Sequence, residues 1–179
     1  MKPNNKKISK FLSLVLRHKP ETIGLCLDEN GWAETQELLE RLAKHNKSID
    51  LKTLEEVVAN NDKKRFAFNA DRTKIRASQG HSVRVNLGYT AVEPPEMLYH
   101  GTATRFLDSI QKQGLLKGNR HQVHLSKDLN TATAVGRRHG KVVVMKVKAL
   151  EMYQAGFEFF VSENQVWLTD QVPVEYLEF

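Results

Sequence analysis

The stretch Arg65-Phe66-Ala67-Phe68-Asn69-Ala70-Asp71-Arg72-Thr73-Lys74-Ile75-Arg76-Ala77 decides how the first half of the chain folds. Two short runs that mix apolar and basic residues flank Asn69-Ala70-Asp71-Arg72, a cluster of turn formers. The stretch therefore reads as strand, turn, strand. What precedes it is helical. Ile8, Phe11, Leu12, Val15 and Leu16 recur at helical spacing and make one apolar stripe. Pro20 disfavours helix at Lys19, which puts Arg17 and His18 in the last turn, where the helix dipole favours cations. A second helix is predicted over Thr35–Lys44, with Leu38, Leu39 and Leu42 inward. A third is predicted near Leu51–Ala59, carrying Leu51, Leu54, Val57 and Val58, with Asp50 as its N-cap. Helices followed by a two-stranded wing predict a small winged-helix lobe.

Further along, Val83–Tyr89 reads as one more strand, and Val92-Glu93-Pro94-Pro95-Glu96 reads as a linker. The expected domains are 1–92 and 93–179. Met97-Leu98-Tyr99-His100-Gly101-Thr102 opens the second half. Thr104 caps an expected helix carrying Phe106, Leu107 and Ile110, and Gly114 closes it. Val123-His124-Leu125 is a short strand. Asp128 caps a helix to about His139, ended by Gly140, and Val142–Val147 is a strong strand. Phe157–Val161, Gln165–Leu168 and Val174–Phe179 complete a β-rich half, so the chain as a whole is α+β. No internal repeat or low-complexity tract is present.

The chain has 179 residues, enough for one ordinary domain or two small lobes. Its 27 Lys and Arg against 21 Asp and Glu give a net charge of +6, with a pI of about 9.4. That modest excess favours anionic partners. No apolar run approaches the ~20 residues needed to span a bilayer, so no membrane partner is expected. The basic start, Met1-Lys2-Pro3-Asn4-Asn5-Lys6-Lys7, leads into an amphipathic stretch rather than the unbroken apolar segment of a secretory signal. Cys26 is the only cysteine, which excludes an internal disulfide and predicts a reducing, cytoplasmic setting. Without a heptad pattern or a long apolar edge, a monomer is expected.

Arginine and histidine recur where chemistry could sit, with no carboxylate pair, no cysteine cluster and no Gly-rich phosphate loop. Guanidinium groups bind phosphate oxygens through a planar fork, and a histidine among them can move a proton. Arg17-His18 reads either as a helix end decorated with cations or as a phosphate-binding arginine beside a proton-handling histidine. Arg65 and Arg76, on the expected wing strands, read as solvated residues or as contacts to a nucleic-acid backbone. Gln79-Gly80-His81-Ser82 reads as a plain loop or as a substrate-holding one. In Arg120-His121-Gln122-Val123-His124-Leu125-Ser126, His121 and His124 fall on opposite faces of a strand, which argues against joint metal ligation. His100-Gly101-Thr102 is a weak pattern by itself, and Glu93, Glu96, Glu158 and Glu163 are scattered. No metal is expected. Locally, each motif has an ordinary structural reading, and any function rests on their joint arrangement.

Taken together and in order, certain motifs carry a resemblance. They are Ser9-Lys10-Phe11-Leu12-Ser13 leading into Leu16-Arg17-His18, Gly31-Trp32, Asn61-Asp62-Lys63-Lys64-Arg65-Phe66, and Ile75-Arg76-Ala77 with Gln79-Gly80-His81-Ser82. They continue with Leu98 to Thr102, Arg120 to Ser126, and Val166-Trp167-Leu168-Thr169. Over essentially its full length the chain resembles the RNA 2′-phosphotransferase family, also called tRNA 2′-phosphotransferases. The resemblance implies a winged-helix RNA-binding lobe, a C-terminal lobe of the ADP-ribosyltransferase type that binds NAD⁺, and an active site in the cleft between them. It also implies a two-step reaction of the tRNA-splicing kind. An internal RNA 2′-phosphate attacks the ribose carbon of NAD⁺ that bears nicotinamide, and nicotinamide leaves. The neighbouring 2″-hydroxyl then attacks the phosphate, giving RNA with a free 2′-hydroxyl and ADP-ribose 1″,2″-cyclic phosphate. NAD⁺ is consumed as a co-substrate.

The family's catalytic Arg-His-Arg-Arg set falls on Arg17, His18, Arg65 and Arg120. His100, Gly101 and Thr102 resemble the first NAD⁺ signature of ADP-ribosyltransferases. His124 falls where relatives place an aromatic beside nicotinamide, and Ser126 is the matching hydroxyl. Arg76, Gln79, Gly80, His81 and Ser82 are implied to hold RNA or bound phosphate. The late glutamate of protein-modifying relatives has no match here, since that neighbourhood offers Gln165 or Val166. Two rivals stand beside this reading: an ADP-ribosyltransferase that stops after the first step on protein or nucleic-acid ends, and a binding module without catalysis.

Overall fold

In the first unit the N-terminal apolar stripe lies on α1 (Pro3–Arg17) and takes Leu12, Val15 and Leu16 completely out of water. The computed structural model describes residues 3–61 and 63–179 and falls into two compact units, one ending at Gly88 and the other beginning at Tyr89. Met1, Lys2 and Asp62 of the motifs quoted above lie outside the described residues. A 3-10 turn over Pro20–Ile23 ends at Gly24, whose φ of +65° suits glycine. Then come β1 (Ala33–Glu34), α2 (Thr35–Lys44), α3 (Leu51–Ala59), β2 (Phe66–Phe68) and β3 (Lys74–Ala77). Asp50 caps α3 as expected, its side chain accepting from the Thr53 N–H at 2.8 Å.

β2 and β3 pair antiparallel with Phe66 opposite Ala77 and Phe68 opposite Ile75. The expected two-stranded wing is extended by β1, which joins the other side of β3 with Ala33 opposite Ile75. Two residues with no alternation of their own gave no strand signal. Leu38, Leu42, Leu54, Val57, Phe66, Ile75 and Ala77 close over the α1 stripe. Each fully buried Leu or Ile contributes about 1.5–3 kcal/mol. That packing, rather than propensity, holds helices too short to persist alone.

Val83–Tyr89 is not a strand. Its alternation is present, with Val83, Val85 and Leu87 half-buried and Arg84, Asn86 and Gly88 exposed. No neighbouring strand accepts it in a ladder. Single bonds hold it instead: Ser82 and Val83 N–H to Arg17 O, and Asn86 N–H to Glu29 O. Period-two burial reports a half-buried extended chain, whether or not a partner strand exists.

The second unit contains β4 (Leu98–Ala103), α4 (Leu107–Gln113), β5 (Leu115–Leu116), β6 (Val123–Leu125), α5 (Leu129–Gly136), β7 (Val142–Val147), α6 (Ala149–Gln154), β8 (Phe160–Val161), β9 (Trp167–Thr169), β10 (Gln171–Val172) and β11 (Leu177–Glu178). These make sheets ordered β11-β7-β4 and β6-β9-β8, and a pair β10-β5, all antiparallel. Tyr99 and Ser126 exchange backbone hydrogen bonds at 2.8 and 2.9 Å, which ties β4 to the end of β6. Leu98, Leu125, Met145, Val147, Met152 and Phe159 are its core.

Several boundaries differ from expectation. The helix placed at Thr104 begins as a 3-10 turn and turns α-helical only at Leu107. The helix capped by Asp128 leaves α geometry at Gly136 and finishes as a 3-10 turn over Arg137–His139. α6, β5 and β10 gave no signal, because α6 is under two helical turns long and β5 and β10 have two residues each, too few to show a period. Gly101 and Gly136 explain how α5 lies against β4. A Cβ on Gly101 would sit 1.7 Å from Ala132 O, and one on Gly136 would sit 2.6 Å from a Val142 methyl.

Candidate active-site residues

In the first unit the end of α1 presents Arg17 half-buried and His18 exposed. The segment after β3 folds back over them. Arg17 Nη2 donates to Gln79 Oε1 at 3.5 Å and to Arg65 O at 3.3 Å. His18 Nδ1 and Ser82 Oγ are 2.9 Å apart. Ser82 N–H donates to Arg17 O at 2.8 Å and Val83 N–H to the same oxygen at 3.3 Å, so Arg17 O takes part in holding the loop as well as ending the helix. Five residues named from sequence, Arg17, His18, Arg65, Gln79 and Ser82, therefore meet here. Gly80 (φ +82°) allows the tight path between them.

Arg65 lies one residue before β2 rather than on it, half-buried. Arg76 and His81 are placed differently. Arg76 is 8% exposed; its guanidinium lies 4.4 Å from the Trp32 ring centre and donates to Asn30 O and Leu87 O. His81 is 1% exposed, and a Cβ on Gly31 would stand 3.3 Å from its Nε2. Both tie the Gly31-Trp32 turn to the segment that carries Gln79 and Ser82. Arg76 sits on β3 where strand alternation alone would leave it in water.

In the second unit β4 presents His100, and its neighbours Gly101 and Thr102 are buried. His100 Nδ1 lies 3.0 Å from His124 O. A carbonyl only accepts, so Nδ1 carries the proton and Nε2 is left as an acceptor. Burial holds the His100 imidazolium below its ordinary range near 6.5; the bond to His124 O acts the other way, and the charges of Arg120 and His139 add to the lowering. The ring is neutral at pH 7. Arg120 is exposed, and its Nη1 lies 3.5 Å from His124 Nδ1. Ser126 is half-buried at the bridge to Tyr99. His121 precedes β6 rather than lying on it.

Neutral His100, with its tautomer fixed by a backbone carbonyl, fits a hydrogen bond from a ribose hydroxyl. No group of His, Cys, Asp and Glu among the described residues could hold a metal ion, and no helix among them is long and apolar enough to cross a membrane. Residues that sequence reasoning left without a role also sit beside the first group: Ser9, Asn61 and Ser78 are buried and polar. Ser9 and Asn61 stood inside quoted motifs, but nothing local marked them as partners.

The model of the RNA 2′-phosphotransferase, Tpt1 / KptA family matches residues 3–171. A Flavobacterium johnsoniae protein named "Probable RNA 2′-phosphotransferase" is 59% identical over 97% of this chain and 96% of its own length. Proteins of the same name from Fusobacterium nucleatum and Burkholderia lata are 51% and 55% identical, each over 98% of this chain and over 99% and 91% of their own lengths.

Proposed function

The chain belongs to the RNA 2′-phosphotransferase, Tpt1 / KptA family, and from that membership we propose that it removes an internal 2′-phosphate from RNA by transferring it to NAD⁺. The family match over residues 3–171 carries the reading. The grouping of Arg17, His18 and the Arg65 backbone in one unit, and of His100, Arg120 and His124 in the other, supports it. The first unit would act as a winged-helix RNA lobe. The second would act as an ADP-ribosyltransferase-type lobe, with His100, Gly101, Thr102, His124 and Ser126 toward NAD⁺.

In the first step an oxygen of the RNA 2′-phosphate forms a bond to C1″ of the ribose as the bond to nicotinamide breaks. Nicotinamide leaves with the bonding electrons, which neutralises its ring. The nucleophile arrives already charged, so the protein mainly has to position it. In the second step the ribose 2″-hydroxyl gives up its proton as its oxygen bonds to phosphorus; the bond from phosphorus to the RNA 2′-oxygen breaks, and that oxygen leaves with the electron pair and takes up a proton. Negative charge grows on the phosphorus centre, and fixed cations stabilise it there. We assign Arg17, Arg65 and Arg120 to that charge and His18 to proton transfer.

The test is a short RNA with one internal 2′-phosphate, incubated with and without NAD⁺ and resolved by mass. NAD⁺-dependent loss of the phosphate together with a cyclic ADP-ribose phosphate is expected. ADP-ribosylated RNA that never turns over would assign a one-step ADP-ribosyltransferase instead, and no nicotinamide at all would assign a binding module.

A further inference from the structure

We propose that Asn61 and Ser78 are positioning residues that set the aim of Arg65, and that their effect falls on the second chemical step; the inference rests on the function proposed above. Asn61, Ser9 and Ser78 are 2%, 3% and 1% exposed, among the most deeply buried polar groups of the first unit. Burying such groups is costly unless each finds a partner, so their partners show what they hold. Asn61 Nδ2 donates to Ser9 Oγ at 3.0 Å. Asn61 Oδ1 accepts from Lys63 N–H at 3.2 Å, and Asn61 O accepts from Lys64 N–H at 2.8 Å. Ser78 Oγ donates to Lys64 O, and Ser78 N–H to Arg65 O, both at 2.9 Å. Arg17 Nη2 reaches that same Arg65 carbonyl. Each of these bonds involves a residue between 61 and 65.

Lys64 is what they restrain. Its φ of +42° is a left-handed conformation that a side chain enters at a cost. Such a residue persists only where its surroundings over-determine it. The Asn61 main-chain carbonyl accepts from the Lys64 N–H and Ser78 Oγ donates to the Lys64 C=O, so the strained residue is held from both sides, and the Asn61 side chain anchors its end of that grip through Ser9 Oγ and the Lys63 N–H. The backbone at Lys64 in turn fixes the direction in which Arg65 leaves the chain. Ser9 and Arg17 lie on the same helix. The Ser9–Asn61 bond therefore fixes the turn before Arg65 against the element that presents Arg17, and the two guanidinium-bearing residues are referenced to one rigid body.

A misaimed Arg65 would harm the two steps unequally. The first step needs the charged nucleophile placed in line. The second needs cations fixed at a growing charge, where a shift of about 1 Å can cost about 100-fold.

The experiment compares full-length wild type with Asn61→Ala, Asn61→Asp and Ser78→Ala, using NAD⁺ and RNA with one internal 2′-phosphate. Nicotinamide and ADP-ribosylated RNA are followed in time, at a temperature where melting curves show each variant folded. For Asn61→Ala and Ser78→Ala, nicotinamide release within about threefold of wild type is expected, with decay of ADP-ribosylated RNA slowed about tenfold or more and KM for NAD⁺ within about twofold. Asn61→Asp keeps an acceptor for Lys63 N–H and can accept from the Ser9 hydroxyl, so it recovers most of the second-step rate. Lowered melting temperatures with both steps at wild-type rates would overturn the inference, leaving only a structural role. Equal slowing of both steps would overturn it as well. Should Asn61→Ala not fold, Ser78→Ala decides alone, since it loses one hydroxyl and keeps its backbone bond. A wild type that releases no nicotinamide from phosphorylated RNA defeats the proposed function itself, and the inference with it; turnover by wild type and variants alike defeats the inference only.

Discussion

His18 and His100 show how differently one kind of side chain is set up for use. His18 is exposed and steered by a neighbouring hydroxyl, whereas His100 is steered by a carbonyl and kept neutral by burial. Ser82→Ala removes a neutral hydrogen bond worth about 0.5–1.5 kcal/mol, so kcat should fall about 2- to 12-fold with KM for NAD⁺ unchanged. A larger rise in KM for RNA than fall in kcat would make Ser82 a substrate contact instead. Replacing Arg65 or Arg120 by Ala should trap ADP-ribosylated RNA, seen by mass; loss of NAD⁺ affinity without any intermediate would remove both from the second step. For His100 the sign is that of a group whose folded value is depressed. The stability tied to its neutral form is whole above about pH 6.5 and is lost as pH falls through the folded value. Wild type should therefore lose more thermal stability than His100→Gln as the pH is lowered from about 7.5 into the acid range; equal losses would show that His100 does not titrate there. At this scale the sequence named nearly every polar residue in the two groups, but not what each one touches. From sequence Arg76 reads either as a solvated strand arginine or as a contact to a nucleic-acid backbone; what the sequence does not express is that its guanidinium lies over Trp32 and donates to two carbonyls.

At the scale of elements, the parts legible in advance were those with local causes. α2 and α3 have the expected bounds because their apolar spacing and the Asp50 cap lie within a few residues of each other. The close approach of α5 to β4 was not legible, since it depends on Gly101 and Gly136 meeting atoms far along the chain. Gly101→Ala should destabilise the second unit by about 1–3 kcal/mol or prevent its folding, read from urea unfolding, because backbone rather than a flexible side chain must move. A neutral result would mean that α5 shifts freely. Asp128 caps α5 by accepting from Thr131 N–H, and that hydrogen bonding with Thr131 holds its carboxyl below its ordinary value of 3.8. The cap's contribution is present above that value and is lost as pH falls through the lowered one. Asp128→Ala should melt below wild type at pH 7, and the difference should narrow in acid. A difference that stays constant down to strong acid would point to packing rather than capping.

For the whole molecule, charge is divided in a way the total conceals. Residues 1–88 carry 17 Lys and Arg against 11 Asp and Glu, whereas residues 89–179 carry ten of each. Binding of phosphorylated RNA should fall steeply with salt, with a log–log slope beyond about −2, because neutralised phosphates release counterions. A flat salt response would set the first unit's charge aside as the source of affinity. By itself the sequence determined the α+β class, most helices with their caps, the β2–β3 hairpin and the family, because periodicity, capping and ordered motifs are written within short windows or in plain residue identity. Only the tertiary structure decided that the segment after β3 folds back to hold Arg17 and His18, that Arg76 and His81 are buried, and that Asn61 and Ser78 grip Lys64. The bonds behind those arrangements reach as far as 64 positions along the chain. Which distant groups meet depends on the path of the whole chain and on the need of every buried polar atom for a partner, and neither is expressed in any local pattern.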